Sequence, residues 1–342
     1  MATRAHPLRV LMVDQYLRLS SAAQAHLDPA EVRLVGGGCT YGAMPEVVLR
    51  HSPDVVVVEL TGLTDEAFAA IEEVMAGRPT PILVLNAHST PALNPFRALA
   101  LGALDVAERP ADDSADFWRG LAERLALLAQ IQVVRHIKGN RYRRTVRRDG
   151  QTPPAFPLVA IAASLGGPRA LSAILRMIPK AYPAAICVCQ HISEGFTDGL
   201  AQWLSSETAL RVIEAVDDEP LSPGTVFIAP SRAHLLVNRS GRTRLDHGPP
   251  RLGFKPSCDA LLTSVAEAFG HRAIGVVLTG MGKDGAEGLK QIRLRGGRTI
   301  VQDRASCVVF GMPREAVEIG AAEQILPLDK IAPALIQLAA TC

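Results

Sequence analysis

The chain of 342 residues is 48% hydrophobic and 20% charged, and its formal net charge is only +2. That balance excludes a dedicated nucleic-acid binder, whose footprint would be strongly basic, and aromatics at 4% leave few platforms on which bases could stack. The length predicts two or three domains, with apolar residues enough for two independent cores.

From the N-terminus, short apolar runs alternate with helical patterns, the grammar of a parallel α/β sheet. Strands are predicted at Leu8–Val13, Val32–Val35, Val55–Glu59, Ile82–Asn86 and Leu104–Ala107, with helices near 42–51, 65–76 and 92–101 and a last one over Ser114–Val134. Residues 1–130 thus read as a flavodoxin-like doubly wound domain. From Arg135 to Arg148 there are seven Lys/Arg and no acid, and Gly150-Gln151-Thr152-Pro153-Pro154 then breaks regular structure. Residues 131–156 are therefore expected to form a basic, proline-containing linker.

The βα rhythm resumes in residues 157–342, a Rossmann-like doubly wound second domain. Strands are predicted at Leu158–Ala163, Ala185–Gln190, Val212–Ala215, Thr225–Ile228, Ala273–Leu278, Thr299–Val301 and Gln324–Leu326. Helices are predicted near 168–178, 197–206, 257–268, 284–295 and 329–340. Most strands are unbroken apolar runs, which predicts helices on both faces of the sheet. Cys187 and Cys189 share one face of a strand, and none of the six cysteines forms a C-x-x-C pair. Buried, reduced thiols are expected, in a reducing compartment. Residues 1–7 carry no signal-peptide pattern and no apolar stretch reaches membrane-spanning length. A cytoplasmic protein without membrane insertion is the expectation.

An open parallel sheet binds ligands at the carboxyl ends of its strands. The strand Leu158–Ala163 ends on Ser164-Leu165-Gly166-Gly167-Pro168, a turn into a helix that approximates a nucleophile elbow, with Ala162 at its first small position. Backbone N–H groups there could stabilise an oxyanion. The strand Ala185–Gln190 delivers His191. The run Ile274–Thr279 enters the glycine-rich loop Gly280-Met281-Gly282-Lys283-Asp284-Gly285. Each residue has a plainer reading: Ser164 and Asp284 as helix N-caps, His191 as a surface residue. Three strand ends supplying Ser, His and Asp point instead to a nucleophile, its base and an orienting carboxylate. A dinucleotide oxidoreductase is disfavoured, since the turn after Leu158–Ala163 lacks G-x-G-x-x-G and no acid follows the second strand.

These residues carry a family resemblance. Ile161-Ala162-Ala163-Ser164-Leu165-Gly166-Gly167-Pro168 resembles the active-serine motif of bacterial chemotaxis protein-glutamate methylesterases, the CheB family. Gln190-His191 with Phe196-Thr197 resembles its histidine motif, and Leu278–Gly288 its aspartate motif. Further matches are Pro223–Pro230, Lys255-Pro256-Ser257-Cys258-Asp259, and Gln302-Asp303 with Phe310-Gly311-Met312-Pro313. The resemblance implies hydrolysis of glutamate methyl esters on methyl-accepting chemotaxis receptors, with methanol released, and deamidation of receptor glutamines. It implies Ser164 as nucleophile, His191 as general base and acid, Asp284 as orienting carboxylate, and Leu165, Gly166 and Met281 around the oxyanion and substrate. It implies no metal or organic cofactor. Where the family usually has glycine this chain has Ala162, and Leu165 replaces a small or hydroxyl residue, adding bulk beside the nucleophile. A binding-only receptor-docking protein is the alternative that Leu165 supports.

The first domain resembles the receiver domain that precedes the esterase in this family, which implies a histidine kinase complex as a second partner. Its functional positions depart from that pattern. The acid pair after the first strand reads Asp14-Gln15, the phosphoacceptor position is Glu59, the hydroxyl position is Asn86, and the lysine position is Arg109. The expectation is a degenerate receiver that phosphotransfer does not switch.

Overall fold

The computed structural model describes residues 6–61, 64–87, 95–112, 114–131 and 156–341, and the chain divides into two compact units, residues 1–139 and 140–342. The linker expected at 131–156 lies almost wholly outside the described residues. The first unit runs β1 (Leu8–Val13), α1 (Arg18–His26), β2 (Val32–Leu34), α2 (Met44–His51), β3 (Val55–Leu60), α3 (Thr64–Gly77), β4 (Ile82–Ala87), α4 (Arg97–Ala100), β5 (Asp105–Arg109) and α5 (Ala115–Leu128). Its five strands are parallel in the order β2-β1-β3-β4-β5, the flavodoxin-like order. All six residues of β3 are buried, as a central strand covered on both faces requires.

The sequence reading placed no helix between β1 and β2, and α1 fills that gap. Its sequence RLSSAAQAH has little apolar periodicity, and its N-cap Leu17 sits at φ 57° with no side-chain cap. The cap comes from outside the helix: Asp14 accepts hydrogen bonds from the N–H groups of Arg18 and Leu19. At the other end of the unit, α5 starts on Ser114, whose hydroxyl accepts from the Phe117 N–H at 3.3 Å, a conventional N-cap.

The second unit runs β6 (Leu158–Ala163), α6 (Gly167–Met177), β7 (Ala185–Gln190), α7 (Thr197–Glu207), β8 (Arg211–Glu214), β9 (Thr225–Ile228), β10 (His234–Val237), β11 (Thr243–Asp246), α8 (Cys258–Phe269), β12 (Ala273–Val277), α9 (Ala286–Leu294), β13 (Arg298–Gln302), α10 (Met312–Glu318), β14 (Gln324–Leu326) and α11 (Leu328–Thr341). Seven parallel strands order as β14-β13-β12-β6-β7-β9-β8. The chain leaves β6 toward β7, then returns to build β12 on the other side. The strand order therefore reverses at β6, the place where a doubly wound sheet opens a crevice. The antiparallel hairpin β10–β11 and helix α10 were not predicted. The hairpin strands have four residues each, too short for a clear alternation. Its turn was nonetheless written in the sequence: Asn238 Oδ1 accepts from Ser240 N–H and Arg242 N–H, and Gly241 has φ 73°.

Candidate active site

The site grows from the ends of three adjacent strands, β12, β6 and β7. Ala163 and Gln190 are register partners, and His191 N–H donates to Ala163 O at 2.9 Å, so Ser164 and His191 leave neighbouring strands together. The buried Gln190 side chain ties the two turns: its amide donates to Ser164 O at 2.8 Å and to His191 O at 2.9 Å. A Cβ on Gly167 would lie 2.0 Å from Gln190 Oε1, so only glycine admits this clamp. On the other side, Ser164 N–H donates to Thr279 O. A Cβ on Gly280 would meet Ser164 Cβ at 2.7 Å and Met312 Sδ at 2.3 Å, which is why the loop after β12 needs glycine there.

Neither Ser164 nor Asp284 is a cap of its own helix. Helix α6 begins on Gly166 at φ 77°, and α9 on Gly285 at φ 103°, both without a side-chain cap. Instead α8 and α9 exchange acids. Asp284, before α9, accepts from the N–H groups of Cys258 at 2.7 Å and Asp259 at 2.9 Å, the first turn of α8. Asp259, in α8, accepts from Gly285 N–H at 2.9 Å and Gly288 N–H at 2.7 Å, the first turn of α9. Each carboxylate thus lies at the positive end of a helix dipole. Asp284 Oδ1 takes a further bond from Ser257 Oγ–H at 3.0 Å, and Oδ2 one from His191 Nε2–H at 2.9 Å.

That bond fixes the histidine. Nε2 carries the proton toward Asp284, and Nδ1 is buried with no protein partner among the described residues. The ring lies flat on Phe254, centroids 4.0 Å apart and planes 1° apart. Burial favours neutral imidazole, but the Cys258 sulfur and the Asp284 hydrogen bond favour imidazolium, and the His191 pKa lies above the ordinary histidine range. Cys258 is fully buried and burial pushes its thiol far up, so at neutral pH the lasting attraction is that of Asp284. Burial would raise the Asp284 pKa as well, but its hydrogen bonds from His191, Asp259 and Cys258 hold it below the usual carboxylate value.

Donor atoms of His191, Cys258 and Asp284 lie within 4.8 Å of one another, close enough to share a metal ion. The donor set does not suit one: Asp284 already accepts four hydrogen bonds, and the Cys258 thiol keeps its proton. Cys258 Sγ sits 3.5 Å from His191 Nε2, but with no exposed surface it cannot meet a substrate. Ser164 is partly exposed. Among the described residues the N–H groups of Leu165, Gly166 and Met281 have no acceptor. An open cleft of about 740 Å³ lies over the loop after β12, walled by Leu252, Phe254, Met281 and Phe310 and rimmed by Lys283 and Arg304.

A model of the CheB methylesterase family matches residues 159–335. The protein-glutamate methylesterase FrzG of Myxococcus xanthus is 53% identical over 341 residues, 98% of this chain and 99% of that protein. The chain belongs to the CheB methylesterase family. A protein-glutamate methylesterase/protein-glutamine glutaminase of Anaeromyxobacter dehalogenans is 46% identical over 97% of each chain. The crystal structure of the Thermotoga maritima CheB methylesterase catalytic domain superposes with a TM-score of 0.53 at 41% identity, over 54% of this chain and 100% of that one.

Both departures from the CheB pattern have a place in the structure. A Cβ on Gly285 would lie 3.1 Å from that of Ala162, so the added methyl of Ala162 faces a residue that has none. Leu165 stands next to Ser164, is 4% exposed and precedes the left-handed Gly166; Leu165, Ser164 and His191 all lie outside the lining of the cleft.

The receiver positions of this CheB-family chain gather at the carboxyl ends of β1, β3, β4 and β5. Arg109 Nη1 donates to both oxygens of Glu59, at 2.9 and 3.2 Å, with both side chains largely buried. Asp14 is spent on backbone N–H groups of the β1–α1 turn and α1. Gln15 Oε1 and Asn86 Oδ1 are buried without protein partners among the described residues. Among the described residues no helix is long and apolar enough to cross a membrane.

Proposed function

We propose that this chain hydrolyses methyl esters of glutamate side chains on chemotaxis receptors, with Ser164 as nucleophile. The observation that carries the reading is the His191–Asp284 pair at 2.9 Å, set beside Ser164 where the strand order reverses. In the neutral form of the ring, His191 Nδ1 holds the lone pair that takes the Ser164 proton as Oγ attacks the ester carbonyl. The imidazole is turned end for end relative to chymotrypsin-type triads, in which Nδ1 faces the aspartate. The acceptor-free N–H groups of Leu165, Gly166 and Met281 supply the oxyanion site. As the tetrahedral intermediate collapses, the C–O bond to methyl oxygen breaks and His191 returns its proton, releasing methanol. Water, activated by His191, then cleaves the acyl-serine to carboxylate and free Ser164. The same steps release ammonia from a glutamine side chain. No step calls on a metal or an organic cofactor. The test is methanol release from methylated receptor fragments.

The cleft rim supports an acidic substrate surface. Lys283 and Arg304 have no carboxylate partner among the described residues, and Arg304 stacks over Phe310 at 5.1 Å. Such cations suit a segment whose ester is flanked by free carboxylates. Arg304→Glu is expected to raise KM about tenfold at low salt and less at high salt, with kcat nearly unchanged, because rim charges act mainly on encounter. A KM insensitive to both charge and salt contradicts this assignment.

The first unit acts as a receiver-like module that phosphotransfer does not switch, and any contact with a histidine kinase is docking. The Glu59–Arg109 pair supports this, since it engages the carboxylate that would accept phosphate. Incubation with acetyl phosphate and magnesium is expected to leave Glu59 unlabelled and the methylesterase rate unchanged. Stoichiometric label, or a several-fold rise in rate, overturns it.

A further inference from the structure

A second histidine stands behind the site. His234 opens β10 and is fully buried. Its Nδ1 accepts from Ser257 N–H at 3.0 Å, and its Nε2–H donates to Pro249 O at 3.0 Å. A backbone N–H can only donate and a carbonyl only accept, so the ring is the neutral Nε2–H tautomer. The two contacts close the segment between Pro249 and Ser257, and both ends of that closure serve the catalytic pair. Inside the segment, Arg251 and Phe254 exchange backbone hydrogen bonds at 2.9 Å around Leu252 and Gly253, both at positive φ. This tight turn presents Phe254 to the His191 ring. At its far end, Ser257 Oγ–H donates to Asp284 Oδ1, and the next two N–H groups hold the same carboxylate.

We infer that His234 is a positioning residue for the catalytic base, holding the Asp284 network through Ser257 and the Phe254 wall through Pro249. Each ring nitrogen has its own task. Nδ1 sets the Ser257 backbone, and hence the place of Asp284 and the orientation of His191. Nε2–H anchors the segment that lines the cleft. A displacement of about 1 Å in a group that orients a base can lower a rate by about a hundredfold, which is the scale at stake on the Nδ1 side.

The inference rests on the methylesterase reading, and the two fail differently. In His234→Asn the amide oxygen replaces Nδ1 and keeps the Ser257 bond while the Pro249 anchor is lost. In His234→Gln the amide nitrogen replaces Nε2 and keeps the anchor while the Ser257 bond is lost. For methanol release by the full chain, Gln is expected to lower kcat about 10- to 100-fold with KM little changed. Asn is expected to keep kcat within about threefold while KM rises several-fold. Folded variants that both match wild type, or that show the reverse split, overturn the inference. Absence of methanol release by wild type defeats the methylesterase reading instead. Nitrogen NMR of histidine-labelled wild type tests His234 without turnover or substitution: the neutral Nε2–H form is expected, and an Nδ1–H or doubly protonated ring at neutral pH overturns the role.

Discussion

Ser164→Ala is expected to lower methanol release on the order of 10⁴-fold or more, the loss typical of removing a triad nucleophile. The structure makes the variant informative because little else should change. The Ser164 backbone keeps its bonds to Thr279 O, Gly167 N–H and the Gln190 amide, so the turn that places the oxyanion N–H groups survives. Alanine also fits against Gly280, which already packs on the Cβ of residue 164. Thermal melting should therefore stay close to wild type. A folded Ser164→Ala protein with near wild-type turnover would remove the nucleophile from the account, and the neighbouring Cys258 could not replace it, since it is fully buried.

Asp284→Asn should impair both turnover and stability. In chymotrypsin-type triads the amide lowers kcat on the order of 10⁴-fold by favouring the wrong histidine tautomer. Here the amide can turn its oxygen toward His191 and Cys258 and its NH2 toward the Ser257 hydroxyl. The tautomer then persists while the charge opposite imidazolium is lost and the Asp259 N–H is left without its acceptor, so a smaller loss, on the order of 10³-fold, is expected. Stability should fall too, because Asp284 caps α8 and a cap contributes about 1–2 kcal/mol. The folded-state pKa of Asp284 is depressed. Its contribution is therefore full above the unfolded value of about 3.9 and fades as pH falls through the folded value. The variant should show a correspondingly shallower loss of stability in acid. Wild-type turnover with only the stability change would reduce Asp284 to a cap.

Much of this site was legible in the sequence because the strands that carry it are unbroken apolar runs. Leu158–Ala163 and Ala185–Gln190 were placed to the residue, and the next positions, Ser164 and His191, followed. What pairing they make was not legible. The exchange of Asp259 and Asp284 between α8 and α9 spans about 25 residues of chain, and no local pattern announces a cap borrowed from another helix. The motif Lys255-Pro256-Ser257-Cys258-Asp259 was visible, but its task, surrounding Asp284 with donors, depends on tertiary contact. Phe254 and His234 gave no signal at all, since a lone aromatic in a loop and a histidine opening a four-residue strand are ordinary in sequence. The burial of Leu165 was not legible either, because a residue just past a strand end can point either way and the left-handed Gly166 follows it. In the first unit, the departures at Glu59 and Arg109 were plain, but that they pair with each other emerged only from the fold.

The central claim is that one partly exposed serine at this strand end performs ester hydrolysis. Treating the full chain with a serine-directed phosphonate, mapping the modified peptide by mass spectrometry and following methanol release on the same sample tests it most directly. The account predicts one phosphonyl group, on Ser164, with loss of methanol release in step with labelling and no label in Ser164→Ala. Methanol release that continues in fully labelled protein, or a label carried by any other residue as activity is lost, would contradict it.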